Sequence, residues 1–125
     1  MELLQVAQRA TDLPRATDFY TRLLGTGPVG RFDPPGLVFF RLGGTRLLLE
    51  AGAPSSLIYL RVDSVRAAVR RLRAEGVAVV GEPRMIFRHD DDALGTAGTA
   101  EWQAFILDSE GNTVGLASLE APEPE

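Results

Sequence analysis

Residues 3–25 read LLQVAQRATDLPRATDFYTRLLG, an alternating segment that gives way to a capped helix. Over 3–10, Leu3, Gln5, Ala7 and Arg9 share one face and Leu4, Val6 and Gln8 the other, which is the period of a β-strand. Asp12 is a good N-cap. Pro14 falls in the first helical turn, where its missing N–H costs nothing. Leu13, Ala16, Phe19, Tyr20, Leu23 and Leu24 then recur at helical spacing until Gly25 stops the helix.

The same pattern returns half a chain later. LIYLRV (57–62) reads as a strand, Asp63 or Ser64 caps a helix with Val65, Ala68, Val69 and Leu72 on its apolar face, and Gly76 ends it. At constant offset Arg9 falls on Arg61, Leu13 on Val65 and Gln5 on Leu57. Short strands follow each helix: about 29–32, 37–42 and 45–51 in the first half, and about 77–80, 84–88, 101–107 and 112–118 in the second. Gly43-Gly44 reads as a hairpin turn. Asp108-Ser109-Glu110-Gly111-Asn112 suits a type I turn followed by a left-handed Gly111. The expected fold is α+β: two βαβββ modules, about 1–52 and 56–119, forming a curved mixed sheet around a cleft. GAPSS (52–56) separates the modules, and the tail 120–125 is expected to fray. HDDDALGTAGTA (89–100) is long enough for a lid or a disordered loop, and its acidic start reads as solvated.

Composition narrows the chemistry. The 125 residues are 45% apolar and 24% charged, with a net charge of −4, no cysteine and one histidine, His89. Thiol chemistry, disulfides and thiolate metal sites are excluded. All thirteen basic residues are arginine, scattered along the chain, which argues against nucleic acid as a partner. No apolar run is long enough to span a membrane, and the start lacks a secretory pattern, so a cytoplasmic location is expected.

The opening LLQVAQRATDLPRATDFYTRLLG and the closing AFILDSEGNTVGL (104–116) resemble the vicinal oxygen chelate superfamily. That group includes glyoxalase I, bleomycin resistance proteins, methylmalonyl-CoA epimerase, fosfomycin resistance enzymes and extradiol dioxygenases. The resemblance covers about Leu3 to Ser118. It implies a glyoxalase/bleomycin resistance-like fold, a homodimer, and a divalent metal held by four side chains that chelates adjacent substrate oxygens. Carried over, the four ligand positions fall on Gln5, Glu50, Leu57 and Gly115. Leu57 has no donor atom and Gly115 no side chain. A tight metal is therefore not expected; a weakly held divalent ion would use Gln5 and Glu50 alone.

Strand alternation fills in the rest of the candidate ligand-binding site. Leu57, Tyr59 and Phe105 supply apolar walls, Gln5, Glu50, Glu101 and Gln103 polar groups, Gly115 open space, and His89 an imidazole at the loop's start, where a lone histidine more often lies on the surface. Phe105 is expected opposite Gly115, with Gln103 and Glu101 on the same face and Trp102 and Ala104 toward the helix. The site suits a small, partly apolar organic molecule bound without a tight metal or other cofactor, as in bleomycin resistance proteins. The alternative is a glyoxalase-like lyase, isomerase or epimerase with Glu50 as general base or weak metal ligand.

Overall fold

The computed structural model describes residues 1–122, which divide into two units. The first comprises Met1–Ser56 together with Asp108–Asn112, and the second Leu57–Leu107 with the chain from Thr113 onward.

In the first unit β1 (Gln5–Arg9) leads into α1 (Leu13–Leu24), then β2 (Gly30–Phe32), β3 (Leu37–Leu42) and β4 (Thr45–Glu50). The sheet order is β1-β4-β3-β2, with β1 parallel to β4 and the other pairs antiparallel. The Asp12 carboxylate accepts the Arg15 N–H at 3.0 Å, as the cap reading requires. Ala16 and Tyr20 turn the apolar stripe of α1 onto the sheet, where Phe40, Leu47 and Leu49 are also fully buried. Burial of each of these large side chains contributes about 1.5–3 kcal/mol.

The second unit repeats the order: β5 (Ile58–Arg61), α2 (Val65–Ala74), β6 (Val79–Arg88), β7 (Ala100–Leu107) and β8 (Thr113–Glu120), arranged β5-β8-β7-β6 with β5 parallel to β8. Ser64 caps α2, accepting the Ala67 N–H at 3.2 Å. Val65, Ala68, Val69 and Leu72 pack on Ala104, Ile106, Val114 and Leu116, all buried. The fold is the expected α+β arrangement of two βαβββ modules, with two separate four-stranded sheets in place of one continuous sheet.

The two strands expected at 77–80 and 84–88 are one bulged strand, Val79–Arg88. Gly81-Glu82-Pro83 lies between the two expected strands, but β6 is an edge strand, where proline's missing N–H breaks no ladder and bulges absorb the irregularity. At the C-terminus Glu120 still belongs to β8; of the tail expected to fray, 123–125 lies outside the described residues. No helix among the described residues is long and apolar enough to cross a membrane.

The turn 108–112 gives the first unit its polar centre. Asp108 is buried and accepts four hydrogen bonds: the Tyr20 hydroxyl at 2.7 Å, the Asn112 amide at 2.9 Å, and the Glu110 and Asn112 backbone N–H groups at 2.9 and 2.8 Å. Gly111 is left-handed at φ 82°, as the turn demands. Burial, with the Asp108 carboxylate beside it, holds the Tyr20 phenol far above its usual range. The Glu110 side chain, 2% exposed, accepts from the Arg15 guanidinium at 2.7 Å and from the Asp12 N–H at 2.9 Å. The Arg15 hydrogen bond is the main reason that its pKa falls to about 2.

A depressed carboxylate pKa adds stability above the unfolded value and loses it as pH falls toward the folded one. Glu110→Gln is therefore expected to lower stability at pH 6 by about 1–2 kcal/mol, a figure reduced because Arg15 is half open to solvent. The difference from the parent should shrink as pH falls from about 4.5 toward 2. Urea midpoints measured across that range check it; a gap independent of pH contradicts the assignment.

Candidate functional site

In the second unit α2 covers one face of the sheet and the other face is more open to solvent. In the second unit the open face carries a row running across all four strands. Tyr59 on β5 lies beside Gly115 on β8, Gly115 opposite Phe105 on β7, and Phe105 opposite Gly81 on β6. Aromatic and glycine alternate. A Cβ built on Gly115 would stand 2.6 Å from the Tyr59 ring, and one on Gly81 2.9 Å from the Phe105 ring. Each ring thus lies down over a glycine, in space that any side chain there would occupy. The two rings are 5.8 Å apart between centroids and 76° apart in plane, an aromatic corner with one face and one edge. Tyr59 is 51% exposed and the neighbouring Leu57 52%.

The next row along the strands is Arg61, Ala117, Gln103 and Arg84, and beyond it come Leu119, Glu101 and Phe87. Glu101 is tied on both oxygens: Gln103 donates its side-chain amide at 2.7 Å, and His89 Nε2 lies 2.9 Å away. Against the expectation of a surface histidine, the His89 side chain is only 2% exposed. His89 follows directly on β6, and its backbone N–H donates to Thr99, extending the β6–β7 pairing by one step and turning the ring inward. The Phe87 ring lies against it, with centroids 4.5 Å apart. The loop backbone at Gly95 closes over it, since a Cβ there would stand 2.9 Å from His89 Cε1. The acidic start of that loop is partly self-capped: Asp91 accepts the Ala93 N–H and Asp92 the Ala97 N–H.

His89→Phe keeps a ring in the pocket but takes a donor from a mostly buried carboxylate. We expect it to cost about 1–3 kcal/mol of stability, measured by urea unfolding; an unchanged midpoint contradicts a structural hydrogen bond.

The first unit corrects one part of the sequence reading. Gln5 lies beside Arg46, not beside Glu50, which stands four residues farther along β4, next to Arg9. At about 3.3 Å per residue the two positions are roughly 13 Å apart along the strands. The Arg46 guanidinium donates to Gln5 Oε1 at 3.1 Å and lies over the Phe39 ring at 5.5 Å. A cation already occupies the place that a metal held by Gln5 would need. Among the described residues no three His, Asp or Glu side chains come together as a metal site. The residues present do not fit the metal that the resemblance implies.

Gly81, Arg84 and Phe87 belong to the open face of the second unit but escaped the sequence reading. The signal was an isolated glycine inside an apolar run, VVGEP, which marks a bulge or a close approach. On the opposite face of that unit Trp102 and Ala104 turn toward the helix side as expected, with Arg66 stacked over Trp102 at 4.1 Å.

The family model of the Glyoxalase/Bleomycin resistance protein/Dioxygenase superfamily matches residues 2–116. The chain belongs to that superfamily. Solved structures share the glyoxalase-like fold. TnmS3, described as an antibiotic binding protein from Streptomyces sp. CB03234, is 24% identical with a TM-score of 0.74, over 96% of this chain and 97% of that one. A lactoylglutathione lyase from Agrobacterium tumefaciens is 23% identical with a TM-score of 0.68, over 94% and 92% of the two chains. A conserved domain protein is 16% identical with a TM-score of 0.73, over 96% and 100%. No curated protein matches the chain. At these identities the likeness carries the fold alone.

Proposed function

We propose that this glyoxalase-like protein binds a small, planar, partly apolar organic molecule on the open face of the second unit, without a metal. The observation that carries this is the Tyr59–Gly115–Phe105–Gly81 row. The two glycines leave room for two rings to lie on the sheet, and an exposed aromatic corner offers a face for stacking. A half-exposed tyrosine and leucine give the apolar area such a ligand buries. The resemblance to TnmS3, described as an antibiotic binding protein, agrees with a binding role. The lyase or isomerase reading has less behind it, because Glu50 stands by Arg9 and away from Gln5. A homodimer, implied by the family resemblance, is part of the same proposal.

Titration calorimetry with 2-naphthamide in excess EDTA tests it. Saturable binding is expected, weakened at least 10-fold in Tyr59→Ala. Binding that appears only with an added divalent ion, or that ignores Tyr59→Ala, overturns the reading. Sedimentation analysis at the same concentrations reads the oligomeric state.

A further inference from the structure

Resting on that reading, we infer that the ligand is a planar aromatic anion, its rings over Tyr59 and Phe105 and its negative group over the row of Arg61, Gln103 and Arg84. The protein as a whole carries a net charge of −4, so chance favours carboxylates on any given face. This face is the reverse. Its three successive rows hold two arginines and a single carboxylate, Glu101. That carboxylate is already engaged on both oxygens, by His89 and by Gln103.

Arg61 and Arg84 are both exposed, and neither has an ion pair or ring contact among the described residues. In the same unit Arg73 bridges to Glu82 and Arg66 to Glu120; Arg70, Arg71 and Arg88 also lack an ion pair among the described residues, but they lie on α2 or, for Arg88, opposite Ala100 at the end of β6. Arg61 and Arg84 sit on the outer strands of the sheet, about 14 Å apart at three strand spacings. Between them lie only Ala117, which is small, and Gln103, whose second amide hydrogen is not taken by Glu101. The row is therefore a shallow trough with donors at both ends and in the middle. It lies two residues, roughly 7 Å, from the aromatic row. That spacing matches a carboxylate, or another compact anion, joined to a fused ring system.

A matched pair of probes tests it: 2-naphthoate and 2-naphthamide have the same ring and nearly the same size, and only the first is charged at pH 7. Calorimetry at 20 mM salt is expected to show naphthoate at least 10-fold tighter. The preference should shrink below 3-fold at 0.5 M salt and in the Arg61→Ala/Arg84→Ala variant, while naphthamide affinity changes less than 2-fold. If both probes bind equally, the anion inference falls and the aromatic site stands. If neither binds, both fall. A preference for naphthoate that survives the double substitution also overturns the assignment to these arginines.

Discussion

Asp108→Ala is expected to remove about 3–5 kcal/mol of stability, a large fraction of the total for a chain of this size. Asp108 is 6% exposed, and its carboxylate accepts from four donors at 2.7 to 2.9 Å. Alanine leaves the Tyr20 hydroxyl, the Asn112 amide and two backbone N–H groups facing a small void. Each unmet buried donor costs about 1–3 kcal/mol, partly relieved by water entering the gap. Tyr20→Phe is the control. It removes one donor and leaves the other three in place, so about 1–2 kcal/mol is expected. Urea unfolding of the three proteins gives the comparison. A loss under 1 kcal/mol for Asp108→Ala would show that the turn holds its shape without the carboxylate.

The second large effect is on binding. Gly115→Val puts a branched side chain where the Tyr59 ring now lies, with its Cβ 2.6 Å from that ring. Tyr59 is half exposed, so the ring can swing into solvent and the backbone need not move. The fold should therefore survive, with a loss of no more than about 2 kcal/mol from the displaced contact. Affinity for 2-naphthoate should fall about 10- to 100-fold, because one ring of the aromatic corner is gone. Gly81→Ala, which crowds Phe105 at 2.9 Å, should do the same to a smaller degree. Near-UV circular dichroism confirms folding and calorimetry reads the affinity. Undiminished binding by a folded Gly115→Val protein would remove the aromatic corner from the site.

How much of this was legible in the sequence depends on what fixes each contact. The Asp12 cap, the apolar spacing of α1 and the turn at 108–112 are local, and the structure has them as read. Because that turn is short, it also sets the register of β7 on β8. The pairing of Phe105 with Gly115 could therefore be counted out from Gly111. No turn sets the register of β1 on β4. Parallel neighbours are joined through long connections, and a slide by whole turns of the pleat keeps every side chain on its face. The resemblance brought Gln5 and Glu50 together as ligand positions; Glu50 shares the face, but stands four residues beyond the register partner of Gln5. His89 was legible as a candidate site residue, but its burial was not, for another reason. Nothing in HDDD shows that the first residue continues a strand and the rest do not. The strands expected at 77–80 and 84–88 stop short of Gly81-Glu82-Pro83, because glycine and proline both weaken a strand; only an edge position tolerates both.

The units of the structure follow the repeat written in the sequence except for five residues. Asp108–Asn112 lies deep in the second repeat, yet it supplies the acceptor for Tyr20 and, through Asn112, a donor to the Arg9 carbonyl at 2.8 Å. A fragment cut at residue 56 would carry the whole of the first repeat and still lack the piece that completes its core. Half-length expression of such a repeated chain should yield an insoluble or molten product unless those five residues are grafted back.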